Sequence, residues 1–187
     1  MSPRPSAPLT LEFILLGLLD QQPMHGYDLH RALTSLQGLS LIWSVKQSRL
    51  YALLDKLEQS GYLESEMLPG EAHLLRKQFH LTEAGREALN RWMHSPVQHG
   101  REMRQDFLAR LYFCKRSDRQ AALRLIQEQR EVCFSWQVSL EKQAIPASDA
   151  AAGKGDDEFE RLVYRFRSAQ VKAMLEWLRD CQEEMER

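Results

Sequence analysis

Neither sign of charge dominates this chain. Lys and Arg number 25, Asp and Glu 26, for a formal net charge of −1. That balance gives no electrostatic case for nucleic-acid binding by the chain as a whole. Division at residue 95 does not create one: 9 basic against 10 acidic residues lie before it, and 16 against 16 after it. Any phosphate contact must come from a local patch. Cysteine is scarce as well. Cys114, Cys133 and Cys181 form no C-x-x-C pair and leave an odd one over. That suits free thiols in a reducing compartment, and their apolar helical surroundings favour burial over redox sensing. No apolar run reaches the ~18 residues of a membrane-spanning helix. The start, MSPRPSAPLTLEF, lacks the apolar stretch and small-residue cleavage site of a signal peptide, so a cytoplasmic protein is expected. There is no G-x-S-x-G, no Gly-rich phosphate loop and no H-E-x-x-H. Neither enzyme activity, nor a metal, nor a cofactor is expected.

The hydrophobic fraction is 43% over 187 residues, enough for one sizeable core or for a small domain plus a second element. Residues 9–20, LTLEFILLGLLD, place Leu11, Leu15, Leu18 and Leu19 on one helix face, with Thr10 as N-cap. The helix is apolar almost all round and should be buried. QQPMHG breaks it. A second helix opens near His25 and runs over 26–36, with Leu29, Leu33 and Leu36 inward and Gln37-Gly38 ending it. Residues 43–66, WSVKQSRLYALLDKLEQSGYLESE, hold a third. Ser44 and Gln47 have capping-box spacing. Leu50, Leu53, Leu54 and Leu57 form one stripe, and Gly61 stops the helix. YLESEML alternates like a strand, PGE turns, and AHLLRKQFHL returns with Phe79 and Leu81 inward. Thr82 then caps EAGREALNRWM, whose Ala84, Ala88, Leu89 and Trp92 face in.

SPVQHGRE at 95–102 marks a boundary, and everything beyond reads as helix. Met103, Phe107, Leu108, Leu111 and Tyr112 share a face, as do Leu123, Ile126, Val132, Trp136 and Leu140. AIPASDAAAGKGDD is a loop or flexible link. A last helix at 157–186 spaces Phe159, Leu162, Val163, Phe166, Ala169, Ala173, Trp177 and Cys181 by threes and fours, like a coiled-coil seam. The expected fold is mainly α: a winged helix-turn-helix domain at 9–94, then an all-helical C-terminal dimerisation domain at 101–187 with a long terminal helix.

In a helix-turn-helix the second helix enters the major groove, and residues near its N-terminus meet base edges. Arg49 suits guanine and Gln47 suits adenine. Lys46 and Ser48, near the positive helix end, suit phosphates. With Tyr51 they form the candidate recognition face. Arg76 and Lys77, with His73, are candidate phosphate contacts on the wing, although an edge strand also carries basic residues merely to block aggregation. Glu64, Glu66 and Glu71 are expected to point away. Phe107, Tyr112, Trp136 and Trp177 are candidates to line an aromatic effector pocket; the competing reading is core and dimer packing. Phe159, Leu162, Val163, Phe166, Ala173 and Trp177 are the candidate dimer seam.

HGYDLHRAL at 25–33, LYALLDKLEQSGYLESE at 50–66 and RKQFHLTEAGREAL at 76–89, in that order, resemble the PadR family of transcriptional regulators. FLARLYFC at 107–114 and the terminal helix resemble the helical region of its larger members. The resemblance implies a cytoplasmic homodimer on a pseudo-palindromic DNA operator, most simply a repressor. Larger members include repressors relieved by phenolic acids and activators of virulence genes, hence a possible small aromatic effector. Tyr51 matches the family's recognition-helix tyrosine, Arg76 and Lys77 its basic wing pair, and His25, Gly26 and Tyr27 its second-helix entry. Lys46, Gln47, Ser48 and Ala52 stand where members often carry prolines. Phe79 replaces the common wing tyrosine, and Leu74-Leu75 a polar stretch. The alternatives are a winged-helix protein-interaction module, or a small-molecule sensor whose aromatic helical half is the primary site.

Overall fold

The computed structural model describes residues 10–35, 45–69, 75–142 and 156–187. They fall into two compact units, one running through Ser95 and taking in Leu108–Phe113, the other formed by Pro96–Phe107 and Cys114–Arg187.

In the first unit, α1 (Thr10–Gln21) is buried at every residue from Leu11 to Leu19, as an all-round apolar helix must be. Its one buried charge, Glu12, has Lys56 Nζ 2.9 Å away. Thr10 is the first helical residue rather than a cap, a one-residue difference. A two-residue strand, β1 (Met24–His25), precedes α2 (Gly26–Ser35), so His25 pairs in a sheet instead of opening a helix. α2 buries Leu29 and Leu33; Leu36 lies outside the described residues. α3 (Gln47–Gln59) buries Leu50, Leu54 and Leu57, with Leu53 packed at the edge. Gly61, at a φ of 76° that other residues rarely adopt, turns the chain into β2 (Leu63–Pro69).

β2 pairs antiparallel with β3 (Leu75–Leu81), and β1 pairs with the other side of β3, giving the order β1-β3-β2. The register puts Leu63 opposite Leu81, Ser65 opposite Phe79 and Met67 opposite Lys77 on one face. Glu64 opposite His80, Glu66 opposite Gln78 and Leu68 opposite Arg76 form the other. Phe79 is buried as expected. α4 (Glu83–Met93) is capped by Thr82, whose Oγ1 accepts from the Gly85 N–H at 3.1 Å and donates to Gly61 O at 2.7 Å. Thr82→Ala removes both bonds and is expected to cost about 1 kcal/mol of stability, read as a lower urea midpoint. α4 buries Ala88, Leu89, Trp92 and Met93; Ala84 is exposed, and Gly85 takes the inward place assigned to it. Trp92 stacks on Phe13 at 4.8 Å. Ala109 and Phe113 complete this core.

The capping box expected at Ser44 does not start α3. The N-cap is Lys46, with no side-chain cap, and Ser44 lies outside the described residues. Val45 is buried, and its carbonyl accepts from the His30 ring at 3.0 Å. Those two ties hold residue 45 ahead of the helix.

In the second unit, Val97 is buried and Gln129 clamps it: the Val97 N–H donates to Gln129 Oε1 at 2.7 Å, and Gln129 Nε2 donates to Val97 O at 3.2 Å. Met103–Phe107 forms a π-helical turn before α5 (Leu108–Ser117). The wider turn shifts the helical phase. Leu108, Leu111 and Tyr112, expected inward, are therefore only half-buried, and Ala109, Phe113 and Cys114 are buried instead. α6 (Arg119–Lys142) buries Ala121, Ala122, Leu125, Ile126, Gln129, Cys133 and Leu140. Of the stripe expected there, Leu123, Val132 and Trp136 are half-buried. α7 (Asp156–Glu186) packs along α6 and buries Val171, Leu178 and Met185, at heptad steps. All three thiols are raised by burial above all, Cys114 to about 11.

Candidate nucleic-acid interface

α2 and α3 meet at the His30–Val45 bond, and α3 is fastened to α1 through Lys56 and Glu12. Three buried leucines fix its rotation. The opposite face is then set by helical geometry. Lys46, Gln47, Ser48, Arg49 and Tyr51 are all exposed around the helix start, and the N-cap residue Lys46 makes no side-chain capping bond. The first turn of α3 thus offers a cation, an amide, a hydroxyl and a guanidinium beside the positive end of a helix dipole.

The β1–β3 ladder ends at His25 and Gln78. Beyond it a groove of about 500 Å³ opens between the start of α2, α3 and β3, lined by His25, Gly26, Tyr27, Asp28, Tyr51, Arg76 and Lys77. The sequence-predicted residues thus separate into two neighbouring sets. Lys46, Gln47, Ser48 and Arg49 form the tip of α3, and Tyr51 joins Arg76 and Lys77 at the groove. Tyr51 lies where it does because residue 26 has no side chain: a Cβ there would meet the Tyr51 ring at 2.5 Å. Gly26→Ala is expected to displace that ring and weaken duplex binding about tenfold, with Tm little changed, because the three atoms nearest to the added Cβ all belong to the Tyr51 ring and hydroxyl, a side chain that is itself exposed. Anisotropy titration and thermal unfolding together check this.

Arg76 and Lys77 leave β3 on opposite faces. Lys77 is on the face that meets α3, with Nζ 2.6 Å from Glu58 Oε2 and 5.0 Å from the centroid of the Phe79 ring. Arg76 is on the other face and exposed. Glu64 and Glu66 share the face of Arg76, and Glu66 is 2.8 Å from His80 Nε2. Their carboxylates point away from Lys77 but not from Arg76. His73 and Glu71 lie outside the described residues. Sequence reasoning missed Asp28, Glu58 and His30. Asp28 puts a carboxylate in the groove, where it disfavours phosphate and can accept from a base amine. Nothing local in the sequence marks Glu58 or His30, whose partners are 19 and 15 residues away.

The candidate effector residues are divided between the two units. Tyr112 packs edge-on against Phe113 in the first unit, with ring centroids 5.1 Å apart. In the second unit Phe107 and Trp177 meet edge-to-face at 6.1 Å. Trp136 borders a cleft of about 380 Å³, shared with Arg101, Arg167 and Met174 among others. Among the described residues no three His, Cys, Asp or Glu side chains are grouped to hold a metal, and no helix is long and apolar enough to cross a membrane.

Residues 15–91 match the model of the transcriptional regulator PadR-like family, and residues 103–186 match that of the virulence activator alpha C-term. Over 121 residues the chain is 29% identical to the negative transcriptional regulator PadR of Bacillus subtilis (strain 168), a match spanning 64% of each protein. Among solved structures, Bacillus subtilis PadR in complex with operator DNA is 25% identical, with 92% of this chain and 97% of that one covered and a TM-score of 0.43. The same regulator in complex with p-coumaric acid is 22% identical, with coverage of 96% and 100% and a TM-score of 0.40. The winged helix-turn-helix thus lies under the PadR-like transcriptional regulator model and the helical unit under the second, and in its first half the chain is similar to the PadR-like family of transcriptional regulators.

Proposed function

We propose that this chain is a sequence-specific DNA-binding repressor that acts in the cytoplasm as a homodimer on a pseudo-palindromic operator. The observation that carries the reading is the polar face of α3. It is held outward by three buried leucines, with no side-chain capping bond from its N-cap residue Lys46 and a groove and wing beside it. In this reading each copy places α3 in a major groove, with Gln47 and Arg49 toward base edges and Lys46 and Ser48 toward phosphates. Tyr51 and the wing residue Arg76 extend the contact. The seam between copies is the exposed face of α7: Phe159, Leu162, Val163, Phe166, Ala173 and Trp177. Retention on immobilised duplex at low salt is the expected result, with release as salt rises. A folded protein that passes through unretained would contradict it and favour a protein-interaction module.

The cleft at Trp136 favours a second, ligand-responsive layer. Its indole, the Met174 side chain and the guanidinium groups of Arg101 and Arg167 suit a small aromatic anion. Quenching of tryptophan fluorescence by phenolic acids, lost in Trp136→Leu if that residue reports the ligand, tests this layer.

A further inference from the structure

Adjacent basic residues on a strand look like a single phosphate clamp, yet a strand sends neighbours to opposite faces. Here that separation is completed by a third residue. Glu58 stands at the C-terminal end of α3. One of its carboxylate oxygens is 2.6 Å from Lys77 Nζ on β3, and the other accepts a hydrogen bond from Ser65 Oγ on β2. One side chain of the helix therefore grips both strands of the wing. Lys77 Nζ also lies over the Phe79 ring, and the Lys77 carbonyl faces His25 Nδ1 at 3.2 Å, so the same strand residue is held from both sides. The Glu58 carboxyl is drawn below its usual range, first by the Lys77 bond and then by that of Ser65.

We propose that Glu58 and Lys77 are positioning residues for DNA binding: they lock the wing to α3 and set where Arg76 meets the backbone, while Lys77 itself makes no phosphate contact. The inference rests on the DNA-binding reading above. An ammonium already neutralised by a carboxylate must surrender that partner before it can release counterions from DNA. Arg76 is exposed on the other face and has no such exchange to make with Glu58. The lock joins the helix proposed to read bases to the strand proposed to touch the backbone, so its effect should be felt through Arg76.

The test uses the full chain and a labelled duplex enriched from a randomised pool, with affinity followed against salt. Arg76→Ala should flatten the slope of log affinity on log salt by about 0.9 per half-site, or about 1.8 for a dimer on two half-sites. Lys77→Met, which keeps an unbranched side chain and removes the ammonium, should weaken binding severalfold with the slope unchanged. It should add little in the Arg76→Ala background. Lys77→Glu should weaken binding further, by about tenfold or more, and the swap Glu58→Lys with Lys77→Glu should recover most of the loss. A direct phosphate contact gives the opposite: the swap leaves a carboxylate at position 77 and recovers nothing. The inference is overturned if Lys77→Met flattens the slope as much as Arg76→Ala does. It is also overturned if the swap binds no better than Lys77→Glu while its Tm matches wild type. Should the swap fail to fold, the Lys77→Met slope decides. A wild-type protein that enriches no duplex removes the DNA-binding reading and this inference together, whereas the two failures above leave that reading standing.

Discussion

Phe166→Glu is expected to convert the protein from a dimer to a monomer and to lower its affinity for a two-half-site operator by at least about a hundredfold. α7 has two apolar faces. Val171, Leu178 and Met185 are buried against α6 within one chain. The other face is left open: Phe159 is 68% exposed, Phe166 63% and Leu162 56%. Burying a large apolar side chain contributes about 1.5–3 kcal/mol, and a two-fold seam counts each substitution twice. A carboxylate placed there adds the cost of desolvating a charge. Phe166 is mostly exposed in the single chain, so helicity should be unchanged by circular dichroism. Light scattering checks the mass and a mobility shift checks the operator. A variant that stays dimeric with full affinity would move the seam elsewhere.

Arg49→Ala should leave folding intact and weaken binding to the preferred operator by roughly 1–3 kcal/mol per half-site, about 5- to 150-fold. The side chain is exposed on the first turn of α3 and is not among the residues that hold the helix. A guanidinium bonded to a base edge differs from one resting on phosphate in a measurable way. In the first case discrimination at one base position collapses while affinity for unrelated duplex hardly changes. In the second, all sequences lose affinity alike. Titration of Arg49→Ala against the preferred site and a set of single-base variants separates the two.

What the sequence discloses here is what is local. The Leu50, Leu54 and Leu57 stripe, the Thr82 cap and the hairpin each follow from spacing within a few residues, and each is present. So is the mainly helical class with a small antiparallel sheet. What it conceals is set by partners far along the chain. β1 is a strand of two residues that exists only because Phe79 and Gln78 pair with it. The π-helical turn at Met103–Phe107 shifts the inward face of α5 by an amount no periodicity reveals. The packing face of α7 lies behind a stronger apolar stripe that faces away from α6. In the site, the exposed α3 residues were legible because the buried stripe fixes what remains outside. The split between Arg76 and Lys77 was not, because it depends on a carboxylate 19 residues from Lys77.

The central claim is that a near-neutral chain reads DNA through two copies of one short helix face. Selection from a randomised duplex pool at moderate salt tests it most directly. The account predicts enrichment of an inverted repeat, its half-sites centred about 34 Å apart or at a multiple of that spacing. A folded, dimeric protein that enriches no sequence would contradict it.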